Sequence, residues 1–402
     1  MKTPSGYLIT SYGDMVSCEP RMSAYAEALR RSITPGCTVI DIGAGFGIFS
    51  LLACKFGAGQ VIAIEPNDVA ALIEPMAQAN GYGAQLRAFQ GLSSDFDEAV
   101  KADVIISDLR SCLPLFEGHI ASIVDASERL LAPRGQLIPA RDQLRIALAN
   151  HPGTYRTHRE PWLRNSYGVD LSLGHRFAAN RWLKVHLEPD DLLSQAQDLA
   201  LLDYATIVNP DLETMTTLVA DRDGEVQGLL VWFDSELVPG IGFSNAPGEP
   251  KLIYGQTFFP LERPLSLLKG ARVDVEINAH LIAGSYVWSW NTRLRTKDPA
   301  APEIALRQSD FLAKVLSPRK LASRSPSYVP PAQESQLIDR QCLDMFDGEK
   351  SLGEIAQRVQ TDFPGVFANS VDAVNHVADL AERYRHPSVA SAGWTSRKEP
   401  SE

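Results

Sequence analysis

Cysteine is sparse in this 402-residue chain, and its five cysteines show no regular spacing and no C-x-x-C pair. The eight histidines are scattered singly, without an H-x-x-x-H or H-E-x-x-H sequence. Closely paired cysteines and helically spaced histidines are the usual sequence signatures of metal sites. The sequence therefore predicts no metal site, and free thiols in a reducing cytoplasm rather than a disulfide framework.

The chain also lacks the features of an exported or membrane protein. Its first residues, M-K-T-P-S-G-Y, contain no basic segment followed by an apolar stretch, so we expect no signal peptide. The longest apolar region, 39–54, includes Asp41 and three glycines, which suits a protein core better than a bilayer. With 38 basic and 49 acidic residues, the net charge of −11 argues against nucleic acid as the main partner. We predict a cytoplasmic protein with neither a nucleic acid nor a membrane partner.

Two apolar runs of strand length frame the most informative motif. The first run, V-I-D-I-G-A-G-F-G at 39–47, ends in spaced glycines, and the second, V-I-A-I-E at 61–65, ends in Glu65. Such glycines let the backbone approach a nucleoside, and an acid after the second strand holds the ribose. A dinucleotide site would require a small residue where Ile48 stands, so this spacing and Asp41 favour S-adenosylmethionine over NAD. The alternative is a purely structural strand-turn-helix. The spaced glycines are Gly43, Gly45 and Gly47.

The order of elements along the chain resembles the protein arginine methyltransferase family over about residues 7–295. Strand and helix patterns alternate through 34–146, and short strand candidates follow through 199–295. The segment M-V-S-C-E-P-R-M-S-A-Y at 15–25 resembles the family's first helix, and W-F-D-S-E-L, G-F-S-N-A-P and Q-T-F-F-P resemble its barrel strands. The resemblance implies a Rossmann-like class I methyltransferase domain, a β-barrel, S-adenosylmethionine as cofactor and a homodimer.

The resemblance also assigns the binding residues. Arg21 would hold the carboxylate of the cofactor through a bidentate contact. The residues implied for cofactor binding are Met15, Arg21, Asp41, Gly43, Ala44, Gly45, Gly47, Glu65, Pro66, Leu92, Ser93 and Asp108. The residues implied for substrate binding are Tyr7, Tyr12, Ile253 and Tyr254.

The sequence S-D-L-R-S-C-L-P-L-F-E at 107–117 falls where the family has its double-glutamate loop. Asp108 and Glu117 have the family's separation, and by resemblance they would turn toward one bound cation, with Arg110 as a third catalytic candidate. Asp108 is shorter than the family's glutamate, and Arg110 stands where the family usually has methionine. We expect Arg110 either to pair with Asp108 or Glu117 or to contact a substrate carboxylate.

A second departure is the loss of the family's Thr-His-Trp loop, whose positions hold Leu252, Ile253 and Tyr254. Ordinary arginine methylation is therefore in doubt, whereas methyl transfer is not. The transfer requires only a lone pair aligned with the sulfonium methyl group and a route for proton loss. A neutral amine, a guanidine held by the two acids, or a carboxylate would serve as the acceptor.

The segment D-M-F-D-G-E-K-S-L-G-E-I-A-Q-R-V at 344–359 resembles PqqD-like peptide-recognition domains. These are small winged helix-turn-helix modules that capture the leader of a ribosomally made precursor peptide, commonly by adding it to a sheet edge. The alternative is a helical dimerisation or packing module. The acidic character of the segment disfavours DNA binding.

We expect the chain to divide into several parts. The predicted parts are a cofactor domain with an N-terminal helix at 1–146, a β-barrel domain at 147–300 with a dimerisation arm at 171–194, a linker at 301–335, a PqqD-like domain at 336–386 and a disordered tail at 387–402. The leading functional hypothesis is a methyltransferase that N-methylates a precursor peptide. The alternatives are an arginine methyltransferase acting on other proteins and a non-catalytic peptide-binding scaffold.

Overall fold

The computed structural model describes residues 7–164, 166–295, 303–331 and 333–384. The chain divides into two compact units, Met1–Val315 and Leu316–Glu402. The tail predicted at 387–402 lies outside the described residues. Within the described ranges, no helix combines the length and the apolarity needed to cross a bilayer.

A five-stranded parallel sheet forms the first half of the larger unit, with the strand order β3-β2-β1-β4-β5. Four of the five residues of β1 are buried, as expected for a short apolar strand covered on both faces. The order of the sheet reverses between β1 and β4, and a ligand crevice lies at such a switch point, beyond the carboxyl ends of the strands. The strands are β1 (Thr38–Ile42), β2 (Gln60–Ile64), β3 (Leu86–Phe89), β4 (Ala102–Ser107) and β5 (Leu131–Ile138).

Helices cover this sheet and its crevice. Pro20 opens the second helix, where a missing N–H costs nothing, and Tyr25 and Leu29 lie on its buried face. The helix predicted after β2 is split into a 3₁₀ turn, Asp68–Leu72, and a short α-helix that contains Pro75 in its first turn. The helices are α1 (Ile9–Ser17), α2 (Glu19–Ser32), α3 (Ile48–Lys55), α4 (Ile73–Ala79) and α5 (His119–Arg129).

The second half of the larger unit consists of two antiparallel sheets around a shared hydrophobic core. One sheet has the order β7-β12-β10-β6-β8, with β11 paired to β10, and the other has the order β15-β14-β13-β9. The strands are β6 (Arg141–Ala149), β7 (Leu183–Val185), β8 (Gln197–Asp203), β9 (Leu212–Val219), β10 (Gly224–Val238), β11 (Ile241–Ser244), β12 (Gln256–Leu267), β13 (Arg272–Ile282), β14 (Ser285–Arg295) and β15 (Ile304–Ser309).

The described strands of this half pair as two sheets, and the β-barrel stays a prediction. The predicted linker differs from the structure. β15 lies inside the predicted linker at 301–335, yet it pairs with β14 from Ser289↔Ser309 to Leu294↔Ile304. Two helices, α6 (Pro152–Leu163) and α7 (Ser172–Ala178), stand between β6 and β7. The predicted arm at 171–194 contains only the second of them.

The smaller unit is helical, with a hydrophobic core of its own that includes Ile338, Cys342, Ile355 and Val377. Ser351 caps its helix through the N–H of Glu354, a capping-box arrangement. The described residues of this unit contain no strand, so neither the wing nor the sheet edge of a winged module is found among them. Its helices are α8 (Pro318–Ala322), α9 (Glu334–Asp344), α10 (Leu352–Asp362) and α11 (Ser370–Arg383).

Candidate active site

The glycine-rich turn after β1 forms one wall of the crevice. Gly43, Gly45 and Gly47 have φ values of +72°, +57° and +90°, a region that favours glycine. A Cβ on Gly43 would lie 2.1 Å from Leu109 Cδ2, and one on Gly45 would lie 2.8 Å from Tyr12 Cε1. The turn therefore requires glycine at these positions for both conformation and space.

Glu65 follows β2 at the same edge of the sheet. Its Oε2 accepts a hydrogen bond from the Gly45 N–H at 2.8 Å, and its Oε1 accepts one from the Asn67 N–H at 3.0 Å. These bonds direct a buried carboxylate to the glycine turn. At the end of β4, which pairs with β1, the buried Oγ of Ser107 has no hydrogen-bond partner among the described residues, which leaves it available to a ligand.

These groups fit S-adenosylmethionine. The glycine turn permits close approach of a nucleoside, Glu65 suits a ribose diol, and Arg21 supplies a cation for the carboxylate of the amino-acid part. Ala44 belongs to the glycine turn, Pro66 follows Glu65, and Leu92 and Ser93 follow β3 at the same edge. The individual roles of these residues stay predictions.

Helix α1 lies over the glycine turn. The Tyr12 ring makes edge contacts with Phe46 at 5.8 Å and with Tyr7 at 6.0 Å between ring centroids. Burial and the nearby Glu65 charge raise the pKa of Tyr12 to about 12, so this hydroxyl stays protonated at neutral pH. The Met15 carbonyl accepts a hydrogen bond from Arg21 Nη1 at 3.2 Å, which links α1 to the next helix. Tyr12 therefore lies against the glycine turn and Tyr7 lies beside Tyr12, and their roles in substrate binding stay predictions.

Arg21 and Asp108 form a buried ion pair at the entrance to the crevice. Arg21 Nε donates to Asp108 Oδ2 at 2.8 Å, and Nη2 donates to the same oxygen. Although burial opposes ionisation, the charges of Arg21 and Arg110 hold the pKa of Asp108 well below its usual range. Asp108 is therefore a carboxylate throughout the neutral range.

Arg110 forms a second ion pair with Asp108, through the carboxylate oxygen that Arg21 does not contact. Its Nε donates to Asp108 Oδ1 at 3.0 Å, and its Nη1 donates to Asp142 Oδ1 at 2.9 Å and to Ser235 Oγ at 2.7 Å. The Arg110 side chain is fully buried, and its Nη2 donates to the Tyr25 hydroxyl. Of the two predicted roles, pairing with Asp108 is the one found, and contact with a substrate carboxylate is wrong because the guanidinium is enclosed.

Tyr254 was predicted to bind substrate, but its hydroxyl is directed at Asp108. That hydroxyl donates to the Asp108 carboxylate, 2.6 Å from Oδ2 and 2.9 Å from Oδ1, and accepts from Arg21 Nε at 2.9 Å. The ring lies parallel to Phe243 at 5.8 Å between centroids. Tyr254 therefore helps to hold the Asp108 carboxylate in place through this hydrogen bond. The neighbouring Ile253 is only partly buried.

Glu117 has a different environment from Asp108. It is exposed, it makes no hydrogen bond or ion pair with the described parts of the chain, and its φ is +44°. A left-handed glutamate is uncommon and often marks a functional position. Burial and the charges of Glu117 and Asp108 raise the pKa of Tyr7. Asp108 and Glu117 therefore differ, because Asp108 is engaged by the chain's own arginines whereas Glu117 is open. That both acids turn toward one bound cation stays a prediction.

The sequence analysis did not predict Asp142, the second carboxylate that binds Arg110. Asp142 accepts a hydrogen bond from the Tyr204 hydroxyl at 2.6 Å in addition to those from Arg110. Asp142 alternates with Leu144 and Ile146 on the buried face of β6. An acid at a core position of a strand is a signal that a buried cation must lie nearby.

Two family models match this chain. "Ribosomal protein L11 methyltransferase (PrmA)" matches residues 23–139, and "Arginine methyltransferase oligomerization subdomain" matches residues 147–285. A curated arginine N(omega)-methyltransferase of Streptomyces achromogenes subsp. streptozoticus is 31% identical over 270 residues, covering 65% of this chain and 74% of the relative. The chain belongs to the arginine methyltransferase family. Protein arginine N-methyltransferase 1 of Oryza sativa subsp. indica is 26% identical over 286 residues, which are 68% of this chain and 74% of that protein.

Solved arginine methyltransferases have the same fold. The Trypanosoma brucei PRMT1 enzyme-prozyme complex with AdoHcy aligns with a TM-score of 0.69 at 21% identity, covering 74% of this chain and 97% of that one. Protein arginine methyltransferase 10 of Arabidopsis thaliana aligns with a TM-score of 0.66 at 19% identity, covering 75% and 97%. This member of the arginine methyltransferase family is an S-adenosylmethionine-dependent methyltransferase. The predicted α/β methyltransferase fold and the choice of cofactor are thereby confirmed.

A buried acid beside the cofactor crevice generates a pH prediction. Asp41 accepts a hydrogen bond from Ser50 Oγ at 2.7 Å, and burial raises its pKa to about 7 from an ordinary 3.8. Below about pH 4, the protonated Asp41 side chain makes its full contribution to the free energy of unfolding. This contribution is lost as the pH rises through about 7, where the buried carboxyl ionises. We expect Asp41→Asn to gain stability relative to wild type over this window, measured by urea unfolding at several pH values.

The exposed Asp97→Asn variant is the matched control, and its free energy of unfolding should run parallel to that of wild type. A constant difference between Asp41→Asn and wild type across the window would contradict the raised pKa.

Proposed function

We propose that this methyltransferase methylates a nitrogen atom of a ribosomally made precursor peptide, which the helical C-terminal unit recruits. The observation that carries the catalytic part is Glu117, an exposed and unpaired carboxylate in a left-handed conformation in the segment between β4 and α5. The curated relatives are named for methylation at nitrogen, which supports the same kind of acceptor atom.

Glu117 is the group that would touch the acceptor. S-adenosylmethionine supplies a methyl group on a positively charged sulfur, and Glu65 and Arg21 would hold its ribose and its carboxylate. Glu117 would accept a hydrogen bond from the acceptor nitrogen, align its lone pair and take up the proton that is released. Positioning of this kind supplies most of the barrier reduction in a displacement whose nucleophile and leaving group are already reactive.

The C-terminal unit supports the peptide part of the proposal. Its core is separate from the cores of the catalytic unit, and neither matched family model extends past residue 285. Leu337 and Val371 are exposed on its helices and offer apolar contacts to a peptide. A docked leader raises the local concentration of the acceptor, so the catalytic pocket need not read the surrounding sequence. Since no strand is found in its described residues, docking would use the helical surface.

We further propose a homodimer formed through the helical pair α6 and α7. Trp162, Leu163 and Leu173 are 40%, 54% and 66% exposed there, which is unusual for large apolar side chains grouped on one pair of helices. The family model that matches this region is named for oligomerisation.

Glu117→Gln tests the catalytic role directly. The change keeps the size of the side chain but removes its charge and its ability to take up a proton. We expect turnover of a candidate precursor peptide to fall by about a hundredfold or more, with affinity for S-adenosylhomocysteine unchanged. The readouts are mass spectrometry for methyl additions and calorimetry for cofactor binding. Glu128→Gln, which removes an exposed glutamate on α5, is the control, and equal activity of the two variants would refute the role of Glu117.

Removal of residues 316–402 tests recruitment. The catalytic unit keeps its own cores, so we expect kcat at saturating peptide to persist while KM for the precursor peptide rises about tenfold to a thousandfold. Isothermal calorimetry of peptide binding should show the same loss. An unchanged KM, with circular dichroism confirming a folded catalytic unit, would show that the C-terminal unit does not recruit the substrate.

A further inference from the structure

The Asp108 carboxylate is fully engaged by the protein itself. A carboxylate offers about four lone-pair sites. In this chain Oδ2 accepts from Arg21 Nε and Nη2, Oδ1 accepts from Arg110 Nε, and the Tyr254 hydroxyl is within hydrogen-bonding distance of both oxygens. A guanidinium arriving from a substrate would have to displace one of these donors.

Of the groups that donate to Asp108, Arg110 is the one that cannot move away, because it is also paired with Asp142. Its guanidinium also binds both oxygens of Asp142, at 2.9 and 3.2 Å, and its side chain has no exposed surface. Aromatic rings enclose it, with the Phe243 and Phe233 centroids 5.1 and 5.3 Å from its Cζ atom. The ion pair between Asp142 and Arg110 Nη1 fixes the position of the guanidinium, so that its Nε stays against Asp108.

The charges of this cluster already balance. Asp108 and Asp142 face Arg21 and Arg110, and no more than 6% of any of these four side chains is exposed. A further guanidinium bound at Asp108 would place an uncompensated positive charge in a desolvated site, which is strongly unfavourable. The acid that remains for an incoming acceptor is Glu117.

We propose that Arg110 is a specificity-determining residue, which closes Asp108 to guanidinium groups and makes a primary amine the acceptor of this methyltransferase. The inference rests on the proposed function, in which Glu117 orients the acceptor nitrogen. It departs from the arginine named for the curated relatives.

With Asp108 closed, Glu117 is the single acid left to activate the acceptor nitrogen, and one acid activates an amine more readily than a guanidinium. A guanidinium presents five N–H donors in a fixed fork and keeps its proton to a pKa above about 12, whereas an alkylammonium ion releases a proton near a pKa of about 10. The neutral amine then forms the new N–C bond with its lone pair, as the electron pair of the S–C bond goes to sulfur. The methylated nitrogen loses one proton to Glu117 or to water, and S-adenosylhomocysteine is the second product.

Movement of Arg21 would not reopen Asp108. If Arg21 turned entirely toward the cofactor carboxylate, Arg110 would still fill Oδ1 and Tyr254 would still contact both oxygens. Bidentate recognition of a guanidinium requires both carboxylate oxygens on the same side. Arg110 therefore excludes that geometry in either position of Arg21.

The test compares Nα-acetyl-lysine amide with Nα-acetylarginine amide as acceptors for the full-length enzyme. The readouts are the rate of S-adenosylhomocysteine formation and the mass of the methylated probe. We expect wild type to favour the lysine probe by about tenfold or more. In the Arg110→Met/Asp142→Asn double variant, which removes both charges together, the lysine-to-arginine ratio should fall by about tenfold because Asp108 is released.

Two further variants keep the test decisive. Arg87→Met/Glu98→Gln removes an exposed pair of the same kind, and its ratio should equal that of wild type. If the double variant at Arg110 does not bind S-adenosylhomocysteine and so fails to fold, Arg110→Lys replaces it. This change keeps a positive charge beside Asp142 but removes the planar fork that also reaches Asp108, and the ratio should shift in the same direction.

The inference is overturned if wild type prefers the arginine probe, if it methylates neither probe, or if a folded variant keeps the wild-type ratio within about twofold. Glu117→Gln separates the two proposals. If it fails to slow methylation of the lysine probe, the role of Glu117 in the proposed function is wrong, whereas the ratio between probes still reports on Arg110.

Discussion

The buried contact between Asp108 and the protein's own two arginines is the constraint on which the rest of the site depends. Arg21 comes from α2, Asp108 and Arg110 from the loop after β4, and Asp142 from the first strand of the antiparallel half. The cluster therefore joins the cofactor domain to the sheets that follow it. Because Asp108 and Arg110 follow β4 at the carboxyl edge of the parallel sheet, these ion pairs fix the side chains of that loop beside the crevice.

Such a cluster does little for net stability. Two desolvated carboxylates and two desolvated guanidiniums regain through pairing about what they lose by leaving water, and well-packed apolar residues would serve stability as well. Removing one partner, in contrast, costs about 3–5 kcal/mol because a buried charge is left alone. The value of the arrangement lies in geometry: it fixes where the charges lie, keeps Asp108 ionised, and leaves Glu117 as the open acid.

Sequence reasoning succeeded where function depends on neighbouring residues. The glycine turn, Glu65 and the alternating strands and helices each carry a local signal of spacing or periodicity. It failed where side chains far apart in sequence meet. The partners of Arg110 on β6 and β10, Asp142 and Ser235, are 32 and 125 residues away, and no local pattern links them. The short strand β15 was missed because its proline- and alanine-rich surroundings resemble a linker, whereas its partner strand determines its conformation.

A double-mutant cycle between Asp108 and Arg110, read as the free energy of unfolding, tests the central claim most directly. Asp108→Asn, Arg110→Met and the combined variant would be compared with wild type by urea denaturation. If the two side chains are joined in a buried pair, the cycle should give a coupling energy of about 2 kcal/mol or more. Effects that add to within about 0.5 kcal/mol would show that the two residues act independently and would contradict this account of the site.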